Sequence, residues 1–325
     1  MRAGRFRALS PRTAMLIYVF KRLVQLVPVL FGITLACFLL LRALPGDPAT
    51  LLLGARGGPE EIALMKQRLG LDLPLWRQYL LFLADIGSGS LGRSVVHAQP
   101  VMQLVLERLP ATLWLVAYST VLAVAMTVPL ALWSAMRRGG PVDLAIKLAF
   151  TIVIAMPSFW LGLIFVILFA IWLPLFPTSG YGDDLLSRLH HTTLPALVIA
   201  LATASLTIRS LRSAILAVLG SDYVTTARAK GAGTGRLMGV HVLPNALISS
   251  ISVLGAHTSW VIGGTVVIET VFALPGLGSL FVESIFSRDY PLIQGLTIVF
   301  AVLVVLINLA TDLAYALADP RIRLE

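Results

Sequence analysis

The residues of this chain that could do chemistry are few, and each has a further condition to meet. Gly87, Gly89 and Gly92 stand as Gly-x-Gly-x-x-Gly. That spacing brings backbone close to a dinucleotide pyrophosphate when a strand precedes it and a βαβ unit surrounds it; neither context is present. Gly231, Gly233 and Gly235 could line a phosphate-cradling turn, but no Gly-Lys-Ser/Thr follows, so no ATP site is expected in this chain. His190, His191 and His241 have no further ligand at metal spacing and read as surface histidines, so no metal is expected. The sequence has no His-Glu-x-x-His and no Gly-x-Ser-x-Gly, which argues against a hydrolase. Asp143 and Lys147 stand four residues apart at a helix start and read as an ordinary helix pair. Asp312 lies at the end of the last apolar run, where a charge costs little.

The elements that would position such residues are set by hydropathy. The chain has 325 residues, 58% of them hydrophobic and 13% charged, with a mean hydropathy of +0.89. A soluble chain carries about 25% charge, so this is a polytopic membrane protein. Its net charge of +9 is read as orienting spans and meeting anionic lipid head groups, not as binding nucleic acid. Cys37 is the one cysteine and reads as a small buried apolar residue.

Six charge-free runs follow: Leu23–Leu41, Leu109–Met136, Leu148–Gly182, Thr192–Ile208, Val242–Ile268 and Tyr290–Thr311. A spanning helix needs about 20 apolar residues. The 35-residue third run is too long for one straight span and too short for two with a loop; Pro174 and Pro177 are expected to end its helix. The 17-residue fourth run can continue past Arg209, whose long side chain can snorkel. Six transmembrane helices are expected. Sixteen of the 25 Lys and Arg residues gather on one side, and seven of the other nine lie in the long 42–108 loop. Long loops do not count for orientation. Both termini and the 209–241 loop are therefore expected in the cytoplasm. The basic N-terminal segment 1–22 precedes an uncleaved first span over 23–41. The 42–108 loop is expected to form a small external subdomain, with a helix opening at Pro59-Glu60-Glu61 and helical spacing from Ala63 to Leu83. Residues 109–325 form the remaining core.

Within that core, 217–245 is a polar interruption. Ser221 or Asp222 can cap a short helix running through Lys230, Gly231 can supply the left-handed residue that ends it, and Pro244 can open the next span. Such a helix, lying across the membrane face, is a lever. Pro28, Pro129 and Pro157 fall within spans and can kink them. Gly263 and Gly264, with Ser259, permit close helix approach. The bundle carries almost no ionisable residue, whereas a proton-driven carrier usually bears one, so an outside energy source is expected.

Several motifs occur in a fixed order: Leu40-Leu41-Arg42-Ala43-Leu44-Pro45-Gly46-Asp47-Pro48, Gly89-Ser90-Leu91-Gly92-Arg93-Ser94, Pro157-Ser158-Phe159-Trp160-Leu161-Gly162, Thr226-Ala227-Arg228-Ala229-Lys230-Gly231 and Glu269-Thr270-Val271-Phe272-Ala273-Leu274-Pro275-Gly276. From about residue 15 to the C-terminus the chain resembles the first permease subunit of a bacterial oligopeptide or dipeptide ABC importer. Nickel and some sugar importers use similar subunits, and a membrane scaffold or sensor is the alternative outside the class. The resemblance implies an all-α, type I ABC importer permease fold in the bacterial inner membrane. It identifies the polar interruption with the family's coupling loop, whose frame is Glu-Ala-Ala, three residues, Gly, nine residues, Ile-x-Leu-Pro. Here that frame reads Thr225-Thr226-Ala227, then Gly231, then His241-Val242-Leu243-Pro244. Thr225 replaces the glutamate, so the grip is expected to rest on helix shape and on neighbours such as Arg228 and Lys230. The coupling residues implied are Thr225 to Gly231 with Leu243 and Pro244. The partners implied are a second homologous permease, two ATP-binding subunits or one fused ATPase, an external peptide-binding protein, a peptide substrate and the bilayer. ATP and Mg belong to the partners, with no cofactor and no catalytic residue in this chain.

Overall fold

The computed structural model of this protein describes residue 20 and residues 24–25, 27–39, 58–68 and 70–318. The basic segment before the first span, save Phe20, and the Pro45-Gly46-Asp47-Pro48 stretch lie outside the described residues. The described residues are helical with no named strand; one isolated antiparallel bridge joins Arg93 to Pro100. In chain order the helices are α1 (Val27–Leu39), α2 (Pro59–Arg68), α3 (Leu75–Gly87), α4 (Val101–Met136), α5 (Pro141–Ala155), α6 (Ser158–Phe165), α7 (Leu185–Leu219), α8 (Asp222–Ala229), α9 (Leu243–Val271), α10 (Leu277–Phe286) and α11 (Tyr290–Ala318).

Three of these, α4, α7 and α11, are long and apolar enough to cross a membrane, and a fourth span is made if the broken pair of α5 with α6 and its extension counts as one. The described part of α1 and the 29-residue α9 fall on the two remaining charge-free runs. The short fourth run lies inside a 35-residue helix, α7, which carries Arg209 well within its length. The third run is not one helix ended at Pro174. It breaks by 107° after Ala155, and a π-helical segment, Val166–Trp172, then extends α6. The break has a local cause. Proline disfavours the α region for the residue before it, and Met156 is accordingly extended at φ −89°, ψ 133°. Pro129, by contrast, sits inside an unbroken α4, as does Pro110. Pro28 is exposed near the start of the described stretch of α1.

The expected continuous spacing from Ala63 to Leu83 is split into α2 and α3, because Gly70 turns the chain at φ +63° and Pro74 precedes α3. Helix α2 opens as expected, with Glu60 and Glu61 in its first turn. Helix α3 packs on α1. Tyr79 is buried, its ring meets Phe31 edge-on and lies against Phe38, and its hydroxyl pairs with Thr34 of α1 at 2.9 Å.

Three apolar layers stack along the bundle. One joins Val101, Leu104, Leu280, Leu292 and Leu296. The next joins Leu115, Leu161, Ile199, Ile268 and Phe272. The last joins Ala131, Ala135, Leu211, Ile215, Val224, Leu237 and Val242. Hydroxyl and indole groups tie α4 to α7 between them: Trp114 Nε1 donates to Thr192 at 3.0 Å, and Tyr118 pairs with Thr193 and Thr127 with Thr207. Such bonds suit an apolar surrounding, which offers polar groups no other partner.

At the end away from α8, two buried carboxylates hold the connections. Glu269, 1% exposed, accepts from the N–H groups of Gly278 (2.7 Å) and Ser279 (3.1 Å) at the start of α10, and from the Thr112 hydroxyl at 2.7 Å. Thr112 in turn accepts from Leu277 N–H. A negative charge at a helix N-terminus satisfies open N–H groups and meets the positive end of the dipole. Asp289 does the same for α11 through Leu292 N–H, and accepts from Ser94 and Val96 of the loop before α4. Glycine at 278 permits this approach: a Cβ there would lie on the Val266 backbone and against the Glu269 carboxylate. Gly278→Ala is expected to destabilise the protein by about 1–3 kcal/mol, the usual range for overpacking. The check is the melting midpoint of the detergent-purified protein, which must fall; an unchanged midpoint contradicts the packing described.

Candidate functional site

Helix α8 stands at the end of the bundle defined by the last apolar layer. It has eight residues, too few to be stable alone, so its shape depends on its ends and its seat. The N-cap is Ser221, but neither Ser221 nor Asp222 caps through its side chain: no side-chain cap bond is made, and the Ser221 hydroxyl donates back to Val218 O at 2.6 Å. Asp222 contributes its charge in the first turn. The C-terminus ends at Ala229 with Lys230 as its cap residue, one position earlier than expected. Gly231 follows at φ +85°. Its N–H donates to Arg228 O at 3.0 Å, and Ala232 N–H donates to Ala227 O at 3.2 Å. This bond pair closes a Schellman motif, which requires a left-handed residue where glycine stands.

The seat is Val224, the one buried residue of α8, fully enclosed within the last apolar layer beside Leu211 and Ile215 of α7 and Leu237 and Val242 of the exit segment. Burying a valine stabilises by about 1.5–3 kcal/mol. The rest of α8 faces out. Thr225, Thr226, Arg228, Ala229 and Lys230 are exposed and Ala227 is half-buried. The two threonine hydroxyls donate back to Ser221 O and Asp222 O, leaving their methyl groups outward. Among the described residues, Arg228 and Lys230 make no ion pair. The helix thus presents Asp222 and Tyr223 at its start and the cations Arg228 and Lys230 at its end.

The return to the bundle is also shaped. After a single turn at Thr234–Arg236, residues Leu237–Val242 form a π-helical segment, with Leu243 N–H reaching Met238 O. The wide i→i+5 turn lets Leu237, Met238 and Val242 all be buried. Leu243 begins α9, and Pro244 sits in its first turn, where its missing N–H costs nothing. His241 is half-buried, and its carbonyl accepts from the Asn245 side chain.

Beside this seat lies a buried ionic cluster. The expected helix pair is present, with Lys147 reaching Asp143 at 2.8 Å, but Asp143 is 1% exposed and the pair is only part of its shell. Its principal partner is distant in sequence: Arg212 of α7 donates Nε and Nη2 to its two oxygens, both at 2.8 Å. Ser134 Oγ of α4 and Gly139 N–H complete the shell.

Toward mid-bundle, a cleft of about 530 Å³ is lined by Val153, Met156, Pro157, Ser158, Phe159, Thr203, Leu206 and Gly264. Pro157 therefore stands at both the break and the cleft wall. A Cβ at Gly263 or Gly264 would meet no described atom within 4 Å. Among the described residues, none that lines the cleft is charged. His190 Nε2 and His191 Nδ1 both lie 2.8 Å from backbone carbonyl oxygens, of Leu175 and Ser187. Gly87 closes α3 and Gly89 and Gly92 turn at φ +82°, with no strand before them.

Two family models match the chain. "Binding-protein-dependent transport system inner membrane component" covers residues 127–324, and its N-terminal companion covers 15–116. The oligopeptide transport system permease protein AppB of Bacillus subtilis is 40% identical over 311 residues, 94% of this chain and 98% of that one. The dipeptide transport system permease protein DppB of Escherichia coli is 34% identical over 337 residues, 95% and 99% of the two chains. Among solved structures, an inward-facing MetNI methionine ABC transporter chain aligns at TM-score 0.57 with 16% identity, covering 67% of this chain and 97% of that one. At that identity the likeness speaks to the fold.

The Schellman geometry generates a direct test. Gly231→Ala places a Cβ in open space but forces a left-handed backbone on an L-residue, which costs about 1–2 kcal/mol. Amide hydrogen exchange over 222–232 is expected to quicken in Gly231→Ala and to change less in Gly231→Asn, because asparagine tolerates this region. Equal exchange in the glycine and alanine proteins contradicts the cap.

Proposed function

We propose a working mechanism from the premise that this chain belongs to the family of binding-protein-dependent transport system inner membrane components. The protein is a multi-pass membrane permease subunit of a peptide ABC importer, the function that its oligopeptide and dipeptide relatives carry in their names over nearly their whole length.

In our reading, α8 is the coupling helix. The face that carries α8 lies in the cytoplasm together with both termini, in keeping with the sixteen Lys and Arg residues on that side of the charge count. A partner ATPase grips the knob of Thr225, Thr226, Ala227, Arg228, Ala229 and Lys230. Hydrolysis belongs to that partner, as do ATP and Mg. Threonine stands where the family frame has glutamate, so the grip rests on shape, on the threonine methyl groups and on the two cations. A second permease subunit faces the mid-bundle cleft and completes the pathway, and an external binding protein delivers the peptide. The open space beside Gly263 and Gly264 suits such a neighbour. The apolar, uncharged cleft wall gives a fixed charge on a peptide side chain nothing to pair with, so selectivity falls to the binding protein.

The single observation that carries this reading is the seating of α8. A helix rooted by one buried valine in the layer shared by α4, α7 and the start of α9 cannot move without them. A push on α8 then travels as a rigid shift of this end of the bundle, and the 107° break at Met156–Pro157 is where the chain absorbs it. Sharp breaks at proline are suited to hinge motion between two packed arrangements.

Gly231→Trp tests the grip. The base of the indole meets no described atom within 4 Å. The left-handed strain is the one that Gly231→Ala also carries, so Gly231→Ala is the control: both proteins are expected to reach the membrane at the normal level, and the loss that Trp adds beyond Ala reads the block. The bulky ring stands in the way of the ATPase, and peptide uptake is expected to fall roughly tenfold, equivalent to about 1.4 kcal/mol at one interface. Uptake in membrane vesicles, normalised to protein level, is the measurement. Unchanged uptake overturns the assignment of α8 as the coupling helix.

A further inference from the structure

The mechanism above leaves one buried ionic group unused. Asp143 and Ser134 are essentially inaccessible, at 1% and 0% exposure, and the Arg212 side chain is 15% exposed. Five donors converge on the Asp143 carboxylate: Arg212 Nε and Nη2, Lys147 Nζ, Ser134 Oγ and Gly139 N–H. They come from the last turn of α4, the turn after it, the first turns of α5 and the inner part of α7. Arg212 Nε also reaches Ser134 Oγ at 3.0 Å, so the three side chains close a ring of contacts.

Such a group is a poor device for stability alone. Burying paired charges costs desolvation, and apolar residues of similar volume often do as well or better. What a two-point guanidinium–carboxylate fork supplies is orientation, since both bonds fail when either group slides or rotates. Apolar layers specify contact without fixing register so closely. The location gives that orientation a use. Ala131 and Ala135 on α4 and Leu211 and Ile215 on α7 belong to the same apolar layer as Val224. Ser134 and Arg212 lie between them in sequence, on the same two helices. The fork therefore fixes α7 against the α4–α5 hairpin beside the seat of α8, and α5 leads directly to the break at Met156–Pro157.

We propose that Asp143 and Arg212 are positioning residues for transport: they clasp α7 to the α4–α5 hairpin so that displacement of α8 reaches the bend as one rigid shift. Without the clasp, α7 and α5 slip past one another, ATP is hydrolysed and the cleft does not respond. The inference rests on the reading of α8 as the coupling helix.

The test uses the assembled importer in proteoliposomes with its external binding protein and a radiolabelled peptide pool made by digesting a uniformly labelled protein. Peptide taken up per ATP hydrolysed is compared for the native chain, Asp143→Asn, Arg212→Lys and the double variant Asp143→Asn with Arg212→Gln, each normalised to assembled complex. Arg212→Lys keeps the charge and loses the fork; the double variant leaves no unpaired buried charge. The clasp predicts near-native ATP hydrolysis with uptake per ATP lowered about fivefold, within the range single contacts contribute to coupling between sites. A ratio within about twofold of native in the variants that assemble overturns it. So does failure of all three to assemble, which would assign the pair to folding. A parallel arm with Gly231→Trp separates the two claims. If that variant leaves both uptake and the ratio unchanged, the coupling-helix reading itself has failed. If it lowers the ratio while the Asp143 and Arg212 variants do not, only the clasp has failed.

Discussion

Everything that α8 shows to its surroundings depends on Val224, the side chain that it buries. The helix has eight residues and one enclosed position, so its seat is a single valine in an apolar layer drawn from α4, α7 and the exit segment. The outward positions carry no such obligation. They are free to be small, cationic or threonine, and Thr225-Thr226-Ala227 is compatible with the helix for that reason. Shape is fixed from within and from the ends; the chemistry of the outer face varies around it.

The buried carboxylates follow a related rule. Among the described residues, Asp143, Glu269 and Asp289 are each 1% exposed, and each stands at a helix end with a full set of donors. An anion inside an apolar bundle persists only when it is paired or hydrogen-bonded, and helix N-termini offer free N–H groups and a favourable dipole. Glu269 and Asp289 use those groups to fix the connections at one end of the bundle. Asp143 instead takes its charge partners from side chains, because it must join α5 to a helix far along the sequence. The middle of the bundle is left to apolar layers and hydroxyl pairs, and the cleft wall stays uncharged.

Much of this was legible in the sequence, for physical reasons. Charge-free runs mark the apolar helices because a charge inside a bilayer is costly. Gly231 could be assigned a left-handed backbone and Pro244 a first-turn position because those roles depend on backbone geometry alone. What escaped depended on partners far apart in the chain. Asp143 read as an ordinary helix pair with Lys147, which it also is, because spacing reveals the residue four positions on, and not Arg212. Pro157 was legible as a kink, but the packing of α6 beyond it was not: at Gly162 an added Cβ would lie 3.3 Å from the Phe272 ring. Gly263 and Gly264 suggested close contact between helices, and each lines a cleft among the described residues. A glycine pair states that room is needed and not what fills it. Glu269 carried a faint signal: a lone carboxylate at the end of an apolar run, followed by Gly276 and Gly278, is the pattern of an anion reaching the start of the next helix.

The central claim is that α8 and the inner ends of α4 and α7 move as one body against the bend at Met156–Pro157. Distances between paired spin labels in the assembled importer, with and without ATP, test it most directly. One pair is placed at Arg138 and Asp222, both exposed at this end of the bundle, and the other at Asp222 and Trp160 across the break. The account predicts that the first distance holds within about 1 Å while the second shifts by more than about 2 Å, the scale that separates rigid bodies from hinged ones. A first distance that changes while the second stays fixed would mean that α8 swings on its own, and would contradict the account.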